Sequence, residues 1–426
     1  MRKILFFVAT LLSISLHAEE FSLDSLLQRA DEQSVQIRVS RSAVEAADES
    51  VKHARNQAMP DLQIEASVGY LGNGQLWDRD FTNYTRVENP HFTNNFAFRA
   101  QQVIYSGGAL TAAYKLAQVG REMATLTMEQ NRQEVRFVIT GHYLDLCRLN
   151  NQLAVLQDNI ALTDTLIDNV RARVQAGTAL ATDLTRYELQ LANLQLQLER
   201  TINSRDVLSY QLATMLHIDS PIEVQPMAAT ESLLPSHSDW QTMAANSLSL
   251  QQAEAQVRVQ QQQVHLNRAA MLPKIAIVAE DHLDGPITIE VPVLDKNFNY
   301  WFMGVGVQYD LSSIYKGRRA VRQSQLQLRQ AQEQQALAAE QVEQAVQAAY
   351  SEWLTAVAEV QTQEKAVQLA RENHAVMRYR YANGLCLLTD MLDADNAKLT
   401  AELGLVNAQI NVQYSQSKLH YLTSTL

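Results

Sequence analysis

Two stretches of this sequence carry almost no residues that break helices. From Gly108 to Ala176 there are only Gly120 and Gly141 and no proline; from Lys316 to Asn383 there is one glycine, Gly317, and no proline. A helix filling either stretch would reach on the order of 100 Å at ~1.5 Å per residue. No single globular core covers a helix of that length, so other helices must flank each one along its whole run. The 426-residue chain as a whole holds only 14 Gly and 8 Pro, about half the usual share, which fits long, uninterrupted elements.

Both stretches end in the same punctuation. "GTALATDLTRYELQL" begins at Gly177 and "GLCLLTDMLDADNAKL" begins at Gly384. In each, glycine is followed by four residues, then Thr-Asp, then a second amphipathic run. Gly177 and Gly384 suit the left-handed conformation that ends a helix. Thr182 and Thr389 are predicted N-caps of the next helix, and Asp183 and Asp390 fall in its first turn, where negative charge is favoured. Each motif therefore reads as the tip of a helical hairpin. Asp390 and Asp393 are three residues apart and share a helix face. Leu180, Leu385, Leu387 and Leu388 make the tips apolar, and Cys386 stands among them.

The rest of the chain also repeats, about 200 residues apart. "NQAMPDLQIEASVGY" matches "AAMLPKIAIVAEDHL", aligned on Pro60 and Pro273. "FAFRAQQVIYSGG" matches "WFMGVGVQYDLSS", aligned on Tyr105 and Tyr309. Each half reads helix, strand, polar loop, strand, long helix, glycine turn, helix. Strands are predicted at about 61–70, 96–105, 274–283 and 300–309. In the first, Leu62, Ile64, Ala66, Val68 and Tyr70 alternate with Gln63, Glu65, Ser67 and Gly69, the period-two pattern of outer-membrane barrel strands. The returning strands are less regular. In one, Phe96, Phe98 and Ala100 share a face; in the other, Trp301, Met303, Val305 and Val307 do, with opposite parity in the alignment. The face that meets lipid there stays open. Tyr70, Trp77, Phe81, Tyr84, Tyr300 and Trp301 cluster near one end of these strands and Tyr105 and Tyr309 at the other, as interfacial girdles would.

The N-terminal residues 1–18 have a basic start, a short apolar run Ile4–Leu16 and Ala18 before two acids, the pattern of a cleaved signal peptide. Beyond it no apolar run is long enough for a membrane helix. The formal charge of −11 gives no basic footprint for nucleic acid. Two cysteines make no disulfide framework, and the ten histidines lack metal-ligand spacing, so no metal or cofactor is expected. No nucleophile elbow, phosphate loop or zinc-protease motif is present, and an enzyme is not expected.

Two strands per half give four per chain, too few to close a barrel, and an eight-stranded barrel has its interior filled by side chains. An open passage needs three chains and twelve strands. The duplicated plan, the Pro60 and Pro273 entries, "VIYSGG", both glycine turns and "TDMLDADNAKL" resemble the TolC-like outer-membrane efflux family over nearly the whole mature chain. The resemblance implies a mainly α fold with β: a trimeric twelve-stranded outer-membrane barrel continued by a periplasmic helical barrel. Its implied organisation is a first repeat over 19–217 with its tip at 177–183, an equatorial connection over 218–239, and a second repeat over 240–426 with its tip at 384–390. Implied partners are two further copies, outer-membrane lipid, a periplasmic adaptor, and an inner-membrane pump of the proton-driven or ABC class. Residues matching Asp390 and Asp393 line the family's periplasmic entrance, and a tyrosine matching Tyr381 helps latch it; Asp183 stands at the other tip. Gly177, Leu180, Thr182, Gly384, Cys386, Leu387 and Thr389 would form the adaptor-facing turns. Cys386 departs from the family, which carries a basic latch residue there. The implied function is a passive exit duct for small molecules such as drugs, toxic compounds or metal ions. A type I protein-secretion duct and a soluble periplasmic coiled-coil scaffold are the alternatives.

Overall fold

The computed structural model describes residues 20–225 and 236–426. The signal-peptide reading of residues 1–18 and part of the 218–239 connection lie outside the described residues.

In chain order the elements are β1 (Glu20–Phe21), α1 (Leu23–Gln33), α2 (Val35–Asn56), β2 (Asp61–Tyr70), β3 (Gly74–Leu76), β4 (Thr85–Val87), β5 (Phe92–Tyr105), α3 (Ala109–Gln175) and α4 (Ala181–Met215). These are followed by β6 (Glu223–Val224), α5 (His237–Ala244), α6 (Leu248–Ala269), β7 (Lys274–Gly285), β8 (Phe298–Gln308), α7 (Ser313–Ala382) and α8 (Leu388–Leu422). The breaker-poor stretches are helices of 67 and 70 residues, each followed by one of 35. No helix among the described residues is long and apolar enough to cross a membrane.

Each half is expected to open on a single helix, and in both halves that helix is two. In the first half the break is at Ser34, whose backbone turns out of the helix at φ −59°, ψ 125° while its N–H still donates to Ala30 O. In the second half α5 and α6 are separated at residues 245–247. Neither break uses glycine or proline.

The chain divides into two compact units. One comprises residues 41–127 and 250–338 and contains an antiparallel sheet in the order β2-β5-β7-β8. The predicted strands stand close to their expected bounds, although β5 begins four residues earlier, at Phe92. The polar loop between β2 and β5 contains the small hairpin β3–β4, with Trp77 and Tyr84 packed ring to ring at 4.9 Å.

Register settles the parity of the returning strands. Ile64 pairs with Phe98, Phe98 with Asp281 and Asp281 with Trp301; Leu62, Ala100, Ala279 and Met303 form the next row. Directly paired residues point to the same side of a sheet. Leu62, Ile64, Val68, Phe96, Phe98, Ile277, Trp301, Met303, Val305 and Val307 therefore share one face, and all are exposed. The opposite face carries Gln63, Glu65, Ser67, Asn95, Arg99, Glu280, His282 and Asp284. There Arg99 bridges Glu65 at 3.2 Å and Glu280 at 3.7 Å, and Asn95 donates to Asp284 at 2.6 Å. Among the described residues nothing pairs with the outer edges of β2 and β8.

Tyr70, Tyr105 and Trp301 fall on the apolar face, and Tyr309 follows the end of β8 with the parity of Val307. Tyr300 does not join them. It pairs with His282 on the polar face and stacks on that imidazole at 5.0 Å, because adjacent strand residues must point to opposite sides.

The other unit comprises residues up to 40, 128–249 and 339–426, and its cores are interhelical. One gathers Leu26, Ala30 and Ile37 with Ile139, Leu144, Leu212 and Leu216, beside the parallel pair β1–β6. A second sets Trp240 and Ala244 against Val346, Ala349 and Leu419. A third lies behind the tips and is described next.

Candidate functional site

Both tips belong to the helical unit, and both turns form as the glycines suggest. Gly177 has φ +75° and Gly384 φ +70°. Thr178 N–H donates to Arg173 O at 2.8 Å and Leu385 N–H to Arg380 O at 2.8 Å, the long bond of a helix-ending Schellman turn. A side chain at either glycine would meet no neighbour, so the requirement is the positive φ alone.

The threonines are not the caps. α4 starts after Leu180 and α8 after Leu387, both in extended backbone, which puts Thr182 and Thr389 inside the first turn. The cap work at the second tip falls to Asp390, whose carboxylate accepts from Leu387 N–H at 3.1 Å. Asp183 holds the equivalent position at the first tip. Asp390 and Asp393 are both exposed.

Leu180, Leu385 and Leu387 are 62–70% exposed. Leu388 is not among the exposed leucines as expected: it is buried with Met391, because the helix starting there rolls it inward against Leu166, Ile167, Val170 and Tyr187. This third core joins the two hairpins of the chain. Cys386 is half-buried, and its thiol lies 3.7 Å from Met377 O.

Tyr381 is held by a residue that the sequence reading missed. The Arg173 guanidinium lies 5.2 Å from the centre of the Tyr381 ring and donates to Tyr381 O at 3.1 Å. Arg173 stands in the last turn of α3, four residues before Gly177, where a cation is favoured by the helix dipole; that position was the available signal. Burial and then the nearby Asp183 carboxylate push the Tyr381 phenol up, with Arg173 pulling the other way. Asp183 and Tyr381, from different hairpins, are therefore electrostatic neighbours.

Tyr187 is completely buried and its hydroxyl makes no hydrogen bond. Burial, then Asp395, hold its phenol far above the ordinary range, so it stays neutral. His374 Nε2 and Asp395 Oδ1 lie 2.9 Å apart, within ion-pair reach but off line for a hydrogen bond. Farther along, Glu402 collects Arg371 at 2.9 Å and Asn159 at 3.3 Å, while Gln190 donates to Asn396 at 2.9 Å. The hairpins are thus joined by an apolar core with polar ties on either side. Among the described residues there is no group of three or more His, Cys, Asp and Glu placed to hold a metal.

One face of the sheet is thus mostly apolar and exposed, interrupted by Asp281 and Asn299, which hydrogen-bond each other at 3.0 Å, and both sheet edges are open. The model of the outer membrane efflux protein family matches residues 26–216 and 240–424. The chain belongs to this family. Its place is accordingly the outer membrane. The outer membrane efflux protein BepC of Brucella suis biovar 1 (strain 1330) is 24% identical over 400 residues, 92% of this chain and 82% of that one. Among solved structures, the outer membrane protein VceC of Vibrio cholerae superposes with a TM-score of 0.79 at 16% identity, covering 94% of this chain and 96% of that one. The open state of the MtrE outer membrane channel of Neisseria gonorrhoeae gives 0.76 at 15%, covering 94% and 88%. These likenesses establish the fold. Members of the family work with adaptor proteins and inner-membrane transporters in tripartite pumps.

Proposed function

We propose that three copies of this chain form a passive exit duct for small molecules, a twelve-stranded barrel in the outer membrane continued by a periplasmic helical tunnel. The observation that carries the reading is the sheet. Its four strands present one face dominated by exposed apolar side chains, with Asp281 and Asn299 paired to each other as the polar interruption, and leave both edges of hydrogen-bonding groups open. In a bilayer such edges must be paired, and only closure of the sheet on itself pairs them all. Four strands cannot close and eight leave no passage, so three chains are the smallest open solution.

The helices support the same assembly. Within the chain, hydrogen bonds join α3 and α4 to α8. Leu189, Leu196, Val207 and Tyr210 of α4, and Leu354, Leu369, Val376 and Tyr379 of α7, are left exposed. Exposed apolar stripes on long helices fit lateral contact with neighbouring helices of another copy.

At the tips, threefold symmetry would bring Asp390 and Asp393 into two acidic levels around an aperture, with Asp183 and Tyr381 beside them. Arg173 takes over, from within the chain, the cationic role left vacant by Cys386. Leu180, Leu385 and Leu387, with the glycine turns, form the surface offered to a periplasmic adaptor; an inner-membrane pump supplies the free energy.

Extraction and mass measurement test the assembly. The protein should leave membranes only with detergent, run as a particle of three chains, and give ion-conducting events in planar bilayers. A detergent-free, monodisperse single chain would refute it.

A further inference from the structure

In a water-filled barrel the face carrying Gln63, Glu65 and Arg99 should be polar throughout. On β8 it is not. Phe298, Tyr300 and Phe302 occupy three successive positions of that face and are 41–56% exposed. Phe298 and Tyr300 stack at 5.4 Å, and Tyr300 stacks nearly parallel on His282, 6° between the planes. The Phe302 ring lies against the sheet over Gly304, where a Cβ would come within 2.6 Å of it. Glycine there allows the ring to lie flat.

Carboxylates run beside the rings on β7. Asp284 pairs with Phe298, and its Oδ2 lies 3.5 Å from the Tyr300 hydroxyl. Glu280 pairs with Phe302; its carboxylate meets His282 Nε2 at 3.1 Å and Arg99 at 3.7 Å. Apart from the His282 imidazole, the paired strands carry no other aromatic side chain on this face, so an aromatic strip flanked by acids needs a reason.

The geometry points to a binding strip for small aromatic organic cations on the inner wall of the barrel, with Phe298, Tyr300 and Phe302 supplying ring faces and Glu280 and Asp284 supplying charge. It rests on the barrel reading, which makes this face the lumen. Aromatic faces attract cations, and stacking adds to the attraction when the cation carries its own ring. The low-dielectric wall behind the strip focuses the field of its carboxylates into the lumen. Such a strip would hold amphipathic cations briefly on their way out, while passing neutral or purely aliphatic solutes without pause. The competing role for these rings is to fill the seam where the β8 edge meets another copy.

Single-channel recording of the full-length protein in planar bilayers separates these roles, with benzyltrimethylammonium as the probe and tetramethylammonium as its ring-free counterpart. Transient blocks by the aromatic cation should shorten about tenfold in a Phe298→Leu/Tyr300→Leu/Phe302→Leu variant, and also in Glu280→Gln/Asp284→Asn. If the triple variant does not insert, Phe302→Leu alone should still shorten the blocks. Unaltered block durations in variants that conduct, or equal block by the two cations, would overturn the strip. Absence of any channel from the unaltered chain would instead overturn the barrel, and the strip with it.

Discussion

At the scale of single residues, the most informative carboxylate outside the tips is Asp31 on α1. Arg132 reaches it at 3.0 and 2.8 Å and Arg136 at 3.3 and 2.7 Å. Burial alone would raise its pKa, but the two guanidiniums outweigh that and hold it below the usual carboxylate range. A carboxylate whose folded pKa is depressed stabilises the fold above its unfolded value and loses that effect as pH falls through the folded one. Asp31→Asn should therefore lower Tm at neutral pH, by losing hydrogen bonds of about 1.5–3 kcal/mol each, and the gap should close in acid below about pH 4. Thermal unfolding in detergent across pH checks this; a gap of constant size would contradict it. At the tips, Arg173→Gln removes the ring contact and should raise single-channel conductance, since one hairpin is no longer tied to Tyr381. Asp390→Ala with Asp393→Ala should weaken the block of conductance by multivalent cations. Unchanged block would place those carboxylates away from the aperture.

At the scale of elements, the long helices and their turns were readable because the signal is local. A run without Gly or Pro followed by glycine at the required φ leaves few alternatives. Gly384→Ala should accordingly loosen the second turn by about 1 kcal/mol, seen as faster amide exchange in residues 380–390, while Gly120→Ala should not. What stayed hidden depended on partners. The break at Ser34 carries no breaker residue. Cap chemistry predicts Thr389 as the N-cap of α8, whereas the helix begins at Leu388, which is rolled into a core with Met391 and with Tyr187, about 200 positions away in sequence. The faces of β8 were undecidable locally because both are rich in apolar side chains: Phe298, Tyr300 and Phe302 on one, Trp301, Met303, Val305 and Val307 on the other. Only pairing with β7 ranks them. Arg173 was missed for a similar reason, since its partner lies on the other hairpin.

At the scale of the whole molecule, the apolar face makes a claim about the surroundings. Ile64→Arg puts a charge where lipid is expected and should cost about 2–4 kcal/mol near the bilayer centre, lowering the amount of protein recovered in outer membranes. Glu65→Gln, one residue along and on the other face, should leave recovery unchanged. Equal recovery of the two variants would remove the membrane from the account of this sheet. The open borders of β2 and β8 have a further consequence for the living cell. A copy with one spoiled border, for example by proline in β8, would still offer a sound border to its neighbours and be accepted into a ring that it cannot complete. Such an allele should interfere with the normal gene carried beside it, and the harm should grow faster than its share of the transcripts.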